Sequence, residues 1–184
     1  MNRRERMLIY ILTCILILTA GVFIFIKKTI SPKVVFIFLL GYNEETKTTY
    51  LTPVKRSISK AGDLETKIKM AIELLLQGPD DSEKQQGLNT AMPENASIIN
   101  VKVEGGIAFI DFSKEIEQGG GTMLMTDRLA QIVYTATQFP PVEKVRILIN
   151  GEFIKYFSGE GITDVEKPIG RDNFNYEIKY ETGG

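Results

Sequence analysis

Histidine is absent from all 184 residues, and cysteine occurs once, as Cys14. Histidine is the commonest general base and the commonest metal ligand, so its absence excludes Ser/His and Cys/His catalytic sites. A single cysteine can neither close an internal disulfide nor build a thiolate zinc site. We therefore predict no catalytic, metal-binding or cofactor-binding residues and no enzymatic activity, with paired carboxylates as the one catalytic option left.

An excess of positive charge is also lacking. The chain has 22 Lys and Arg against 23 Asp and Glu, for a net charge of -1. Six of the basic groups and one acidic group lie in the first 33 residues, which leaves 16 basic and 22 acidic groups in the rest. The remaining 151 residues thus carry a formal net charge of -6. Binding of nucleic acid to such a domain would gain no free energy from counterion release. We predict no nucleic-acid partner.

The longest apolar stretch lies near the N-terminus. Residues 7–26 (MLIYILTCILILTAGVFIFI) contain no charge, and a helix of 20 residues is about as long as a bilayer core is thick. We predict a cytoplasmic tail over residues 1–6, a single transmembrane helix over 7–26 and a linker over 27–33, with the C-terminal domain extracytoplasmic in the cell membrane. A cleaved secretion signal is the alternative, although the apolar run exceeds the usual length of one. Cys14 then lies inside the membrane helix.

The remaining chain alternates between two kinds of apolar pattern. Runs of β-branched and aromatic residues predict strands over 34–40, 50–58, 98–103, 107–112, 142–150 and 153–157. Helical spacing predicts a helix from its cap at Asp63 to Gly78, and a second helix over 122–138. Residues 80–96 read as a long polar loop.

This order of elements predicts an α+β fold. We expect a mainly antiparallel sheet with both helices packed on one of its faces, in a domain that covers residues 34–168. The polar composition of residues 169–184 predicts a loose C-terminal tail. Exposed sheet edges in such a domain suit packing against partners, including strand addition.

Carboxylates that could act in pairs occur at Glu44-Glu45 and Asp80-Asp81, and Asp111 stands inside an otherwise apolar strand. A glycoside hydrolase needs two carboxyls about 5–10 Å apart across a sugar cleft. Adjacent acidic residues in turns normally face solvent, and strand alternation places Asp111 on the face opposite Ile110 and Phe112. Solvated surface is therefore the favoured interpretation, and a hydrolase that acts on cell-wall glycan is a weaker hypothesis.

Several segments of the predicted domain carry short motifs that follow one another along the chain. The most specific are residues 131–140 (QIVYTATQFP) running into 145–151 (VRILING). The others are 51–56 (LTPVKR), 71–79 (AIELLLQGP), 87–93 (GLNTAMP) and 108–113 (AFIDFS). In this order the segments resemble the GerMN domain of sporulation and spore-germination proteins. The resemblance extends over about 34–157, nearly the whole domain, with a single copy of it.

The resemblance implies an α+β domain of a membrane-attached, extracytoplasmic protein linked to sporulation or germination, with no known catalytic residues. We expect an assembly or scaffolding module that contacts other envelope or sporulation proteins and could form an oligomer. The alternative is a sensor of small ligands or glycan that uses the loop over 80–96.

Five residues are candidates for structural or interaction roles within the motifs: Arg56, Gly78, Pro79, Pro93 and Asp111. The reason is most concrete for Gly78, because the residue after a helix end often needs a left-handed backbone. We predict that a side chain at this position destabilises the fold.

Overall fold

The computed structural model describes Thr13 and residues 33–58, 62–157 and 163–180. Apart from Thr13, the predicted transmembrane helix over 7–26 lies outside these residues, as does the predicted tail over 1–6. Among the described residues no helix combines the length and apolar character needed to cross a membrane. The elements below belong to one unit, Val34–Ile58 with Gly62–Gly184.

The first two predicted strands are present and pair with each other. Strand β1 (Lys33–Asn43) and β2 (Thr48–Ile58) form a two-stranded sheet. Val35, Ile37 and Leu39, on one face of β1, are almost completely buried. Phe38 and Leu40, on the other face, are buried as well, so the strand is covered on both faces, as its unbroken apolar run indicates.

Helix α1 (Leu64–Leu76) begins where the sequence predicts. The carboxylate of Asp63 accepts a hydrogen bond from the Thr66 N–H at 2.9 Å, and this bond satisfies one of the free donors at the helix start. The apolar stripe of Ile68, Ile72 and Leu75 is fully buried. The helix therefore packs with the face that its spacing indicates.

The segment predicted as a long polar loop contains a short helix, α2 (Asp81–Gln85). Its first turn is closed by a capping box: Asp80 accepts from the Glu83 N–H, and the Glu83 carboxylate accepts from the Asp80 N–H. An Asp followed three residues later by Glu is a helix-start pattern, so the local sequence did contain this signal.

The larger sheet has the strand order β3 (Ile98–Glu104), β4 (Ile107–Phe112), β5 (Lys144–Ile149) and β6 (Glu152–Phe153). The predicted hairpin of β3 and β4 is confirmed, with Gly105 and Gly106 both at positive φ in the turn. A bulge between Ile98 and Asn100 shifts the register, and Ile99 becomes 48% exposed although plain alternation would bury it.

The centre of this sheet differs from the predicted, mainly antiparallel arrangement. Strands β4 and β5 are parallel over six residue pairs. Between them the chain passes through a 3-10 helix (Lys114–Glu117) and helix α3 (Thr122–Ala136), and a parallel pair requires such a long crossover. The result is a mixed sheet in an α+β fold.

Helices α1 and α3 pack against the same face of the larger sheet and against each other. The shared core joins Ile68 and Ile72 of α1 to Leu129 and Ile132 of α3. Side chains from three strands complete it: Val101, Ala108, Ile110, Phe112, Val145 and Ile147. On the opposite face of the sheet, no helix of the described part of the chain is packed.

The predicted last strand, residues 153–157, is divided between two sheets. Strand β6 pairs with β5, whereas β7 (Tyr156–Phe157) pairs with β8 (Thr163–Asp164). The Val165 N–H donates to the Lys155 carbonyl at 2.8 Å, so the chain folds back on itself at this point.

Residues 169–180 also differ from the loose tail expected from their composition. Strand β9 (Ile169–Gly170) pairs with β5, and a 3-10 helix (Arg171–Asn173) follows. Farther along, Leu51 of β2 exchanges backbone hydrogen bonds with Glu177 and Lys179, each at 2.9 Å. Pairing with strands that are distant in sequence orders this polar segment, which composition alone cannot indicate.

Candidate functional site

The outer edge of β1 is covered from Phe36 to Leu40. The side-chain amide of Gln138 both donates to and accepts from Phe36, each at 2.7 Å. At Phe38, the carbonyl accepts from Gln131 Nε2 at 2.7 Å and the N–H donates to Thr135 Oγ1 at 3.2 Å.

The same edge is completed two residues farther on. Leu40 exchanges both backbone hydrogen bonds with Asn89, at 2.8 and 2.9 Å. The expectation that sheet edges are open for strand addition is therefore wrong for β1, because the backbone donors and acceptors of three alternate residues, Phe36, Phe38 and Leu40, are already paired. Gln131 and Thr135 belong to α3, and Gln138 follows its end. Their spacing of i, i+4 and i+7 places the three polar side chains on one face of the helix.

Three of the five candidate residues meet at one corner of the domain. Arg56, Gly78 and Pro79 line a shallow depression between the end of β2 and the end of α1. The Arg56 guanidinium holds the Glu83 carboxylate with two hydrogen bonds of 2.6 Å. The Arg56 bond lowers the pKa of Glu83, against the effect of burial, and the same bond raises the pKa of Arg56.

Gly78 has the left-handed backbone predicted for it, with φ of +73°. Its N–H donates to the Leu75 carbonyl at 3.0 Å, which ends the helix. Pro93 lies elsewhere, in a half-buried turn where its carbonyl accepts from the Ala96 N–H at 3.3 Å. The structure thus brings Arg56, Gly78 and Pro79 together and leaves Pro93 and Asp111 apart from them.

Asp111 lies on the face of the larger sheet opposite α1 and α3, which no helix within 33–58, 62–157 or 163–180 covers. It is 9% exposed, and its Oδ1 accepts from the Gly151 N–H at 2.8 Å. It lines a pocket of about 450 Å³. We call this the Asp111 pocket; its lining includes Lys102, Glu104, Phe109, Asp111, Leu148 and Phe153.

Aromatic side chains form one side of the Asp111 pocket. The ring of Phe153 is 62% exposed and meets Phe109 edge-on, with centroids 6.2 Å apart. The guanidinium of Arg146 lies 5.1 Å from the centre of the Phe153 ring and donates to the carbonyls of Ile154 and Val165. Arg146 therefore holds the turn that presents Phe153 to solvent.

The charged rim of the pocket is formed by β3. Lys102 and Glu104 pair at 3.1 Å, and both side chains are about two-thirds exposed, at 65% and 70%. Such an exposed pair contributes little to stability. With Asp111, the lining holds two carboxylates and one ammonium group.

The predicted carboxylate pairs do not form a shared cleft with Asp111. Asp80 caps α2, and Asp81 is 96% exposed with Lys84 at 3.6 Å. Glu44 pairs with Lys47 at 2.8 Å at the turn between β1 and β2. None of the three lines the Asp111 pocket. Among the described residues no group of three or more His, Cys, Asp or Glu could hold a metal ion.

Sequence reasoning missed a buried cation, Arg128, on α3. It is 1% exposed and donates to the carbonyls of Ala91, at 2.7 Å, and Ile116. Burial lowers its pKa to about 10. Helical spacing could have indicated it, because Arg128 stands between Met125 and Leu129 near the apolar stripe.

Three comparisons with known proteins bear on identity. No curated protein gave a match. The tandem GerMN domains of the sporulation protein GerM from Bacillus subtilis are 26% identical, with a TM-score of 0.60. That alignment covers 76% of this chain and 45% of the tandem structure, so this chain spans less than half of it.

Two further solved structures show the same fold. The first GerMN domain of GerM from Bacillus subtilis is 21% identical, with a TM-score of 0.57 over 76% of this chain and 98% of that domain. A putative lipoprotein from Clostridium perfringens is 21% identical, with a TM-score of 0.54 over 77% of this chain and 89% of its own.

A family model named Germane, described as sporulation and spore germination, matches residues 36–155. Among the described residues, this range contains most of β1, strands β2 to β6, helices α1, α2 and α3, and the lining of the Asp111 pocket. The family is not known for an enzymatic activity. The chain belongs to the Germane family of sporulation and spore germination proteins.

Proposed function

We propose that this protein is a non-enzymatic assembly module of the cell envelope that acts in sporulation or germination by binding other proteins. The observation that carries the proposal is the uncovered face of the larger sheet, where an exposed Phe153 stands beside the Asp111 pocket. Exposed aromatic residues next to a pocket with a charged rim are typical of protein interfaces.

The location is part of the same proposal. The uncharged run over residues 7–26 would tether the domain to the cell membrane as a single span, with the domain outside the cytoplasm. The relatives support an envelope location, because one of them is described as a putative lipoprotein. Expected partners are envelope or sporulation proteins, and self-association is compatible with the same face.

The candidate residues divide between two roles in this proposal. We assign Asp111 to the interaction face. Arg56, Gly78, Pro79 and Pro93 would hold the turns around α1 and α2, because Arg56 is fully engaged with Glu83 and Gly78 ends a helix.

Site-specific photo-crosslinking in the native host tests the proposal. A photoreactive amino acid in place of Phe153 of the full chain should give a discrete protein adduct during sporulation or germination. The same amino acid in place of Met123, which is 75% exposed at the start of α3, serves as the control and should not give that adduct.

A genetic measurement accompanies the crosslinking. The Phe153→Asp allele should lower the yield or the germination of spores while the protein is present at its normal level. Absence of any adduct at position 153, together with wild-type spores from the Phe153→Asp strain, would overturn the proposal.

A sensor of small ligands or glycan is the second candidate. The volume of the Asp111 pocket, about 450 Å³, lies within the range of roughly 300–1,000 Å³ found for small-molecule sites. Thermal shifts of the full chain with muropeptides test this function, and a flat profile would count against it.

A further inference from the structure

We infer that the Asp111 pocket binds the guanidinium group of an arginine side chain from a partner protein. This inference deepens the proposed function and rests on it. The carboxylate of Asp111 is nine-tenths buried, and its Oδ1 accepts from the Gly151 N–H at 2.8 Å. Among the described residues the second oxygen, Oδ2, has no hydrogen-bond partner, and the residue lines the pocket.

The charge of the pocket favours a cation. Glu104 and Asp111 provide two carboxylates, and the ammonium of Lys102 is paired with Glu104 at 3.1 Å. Asp111 is therefore left without a cationic partner within the lining. The one other cation beside these residues, Arg146 against Phe153, gives its described hydrogen bonds to the carbonyls of Ile154 and Val165. A buried carboxylate gains most from a ligand that brings both a positive charge and hydrogen-bond donors.

The walls of the pocket favour arginine over other cations. Phe109 and Phe153 present aromatic surface beside the carboxylate. A guanidinium group is planar, stacks on aromatic rings and is less strongly hydrated than an ammonium group, whereas lysine is a compact point charge. The chain itself already shows this contact, because Arg146 lies 5.1 Å from the centre of the Phe153 ring.

The site is also held in place before a ligand binds. The Gly151 N–H fixes one oxygen of Asp111, and Arg146 fixes the turn that carries Phe153 by donating to Ile154 at 2.8 Å. Side chains that are already ordered lose little entropy on binding. The pocket is therefore suited to act as the centre of an interface whose rim is Lys102 and Glu104.

Titration of the full chain with N-acetylargininamide tests the inference without knowledge of the partner. The ¹⁵N-labelled protein in detergent micelles is followed by NMR, and the Gly151 N–H is the reporter because it bonds directly to Asp111. We expect saturable shifts of this signal with a Kd on the order of 1–10 mM, as befits a ligand of so few atoms. The neutral isostere N-acetylcitrullinamide should give no saturable shift, and N-acetyllysinamide should bind several-fold more weakly.

Substitutions in the Asp111 pocket test whether N-acetylargininamide binds there. Asp111→Asn keeps an oxygen for the Gly151 N–H but removes the charge, and it should weaken binding at least about tenfold. Phe153→Ala, at a position that is 62% exposed, should weaken it several-fold without loss of folding. The matched control is Asp81→Asn, whose carboxylate is 96% exposed on α2, and it should bind as the wild type does.

The inference is overturned if the Gly151 signal does not saturate, if citrulline binds equally, if lysine binds more tightly, or if Asp111→Asn leaves the Kd unchanged. These outcomes differ from a failure of the proposed function. If a protein adduct forms at position 153 but arginine does not bind, only the inference that the pocket binds arginine is wrong. If neither an adduct nor a spore defect is found, the proposed assembly function is wrong.

Discussion

The side-chain amide of Gln138 pairs with the backbone of Phe36 in both directions, as a neighbouring strand would. Its Nε2 donates to the Phe36 carbonyl and its Oε1 accepts from the Phe36 N–H, each at 2.7 Å. Edge strands with free backbone groups invite pairing with other chains. Gln131, Thr135 and Gln138 therefore protect β1 from pairing with a strand of another chain. This leaves the face of the larger sheet that carries the Asp111 pocket as the expected interaction surface.

Gln138→Ala should lower the free energy of unfolding by about 1–3 kcal/mol, because two half-buried backbone groups of Phe36 lose their partners. Urea unfolding followed by circular dichroism measures the change. Gln118→Ala, at an exposed position before α3, is the matched control and should be nearly neutral. Equal stability of the two variants would show that the amide does not support the edge.

Glu83→Gln should lower the free energy of unfolding by about 2–4 kcal/mol near neutral pH, because it leaves the largely buried Arg56 guanidinium without its charged partner. The bond with Arg56 holds the pKa of Glu83 below its ordinary value of about 4.5. The ion pair therefore contributes to the free energy of unfolding above the ordinary pKa of glutamate. This contribution is lost as the pH falls through the lowered pKa of Glu83.

Urea midpoints of wild type and Glu83→Gln, measured from neutral pH to about pH 2, should converge at the acid end. Asp81→Asn on the same helix is the control, because its carboxylate is 96% exposed, and it should follow the wild type throughout. A cost for Glu83→Gln that does not change with pH would contradict the assigned ion pair.

Gly78→Ala should destabilise the protein by about 1–2 kcal/mol, the cost of a left-handed backbone for a residue with a side chain. The backbone φ at this position is +73°, and an added Cβ would lie 3.1 Å from Thr90 Cγ2. Gly120→Ala is the matched control, because that glycine has no positive φ and an added Cβ meets nothing within 4 Å. Thermal melting compares the two, and an unchanged Tm for Gly78→Ala would refute the helix-end role.

Tyr176→Phe should lower stability by about 1–3 kcal/mol, more at neutral pH than in acid. The Tyr176 hydroxyl donates to the Asp127 carboxylate of α3 and so ties residues 169–180 to the domain. Burial raises the pKa of Asp127, and the Tyr176 bond opposes that rise. Without the bond the pKa rises further.

A carboxyl group whose pKa is raised in the folded protein contributes to the free energy of unfolding at low pH, and this contribution is lost as the pH rises through the raised pKa. The difference in unfolding free energy between wild type and Tyr176→Phe should therefore grow from about pH 4 to about pH 7. Tyr180→Phe, at a side chain that is 74% exposed, should show no such growth. A flat difference for Tyr176→Phe would contradict the hydrogen bond.

The sequence by itself determined the elements whose signals are local. The cap at Asp63, the buried stripe of Ile68 and Ile72, the hairpin turn at Gly105-Gly106 and the left-handed Gly78 all follow from interactions within a few residues. The motifs also sufficed to identify the family, because they occur in order along most of the domain.

Only the tertiary structure decided which distant residues meet. The parallel pairing of β4 with β5, the pairing of residues 169–180 with β2 and β5, and the coverage of β1 by α3 depend on long-range contacts. Local pattern cannot specify such pairs, because the same strand or polar side chain can face many partners until the chain is folded.

The same division holds for the candidate site. Strand alternation correctly placed Asp111 opposite Ile110 and Phe112, but it could not show that Phe153 and Leu148 would enclose the carboxylate in a pocket. Leu148 comes from β5, which the crossover through α3 brings alongside β4, and Phe153 comes from β6, which pairs with β5. The sequence therefore supplied the charged group, and the fold supplied its aromatic and buried surroundings.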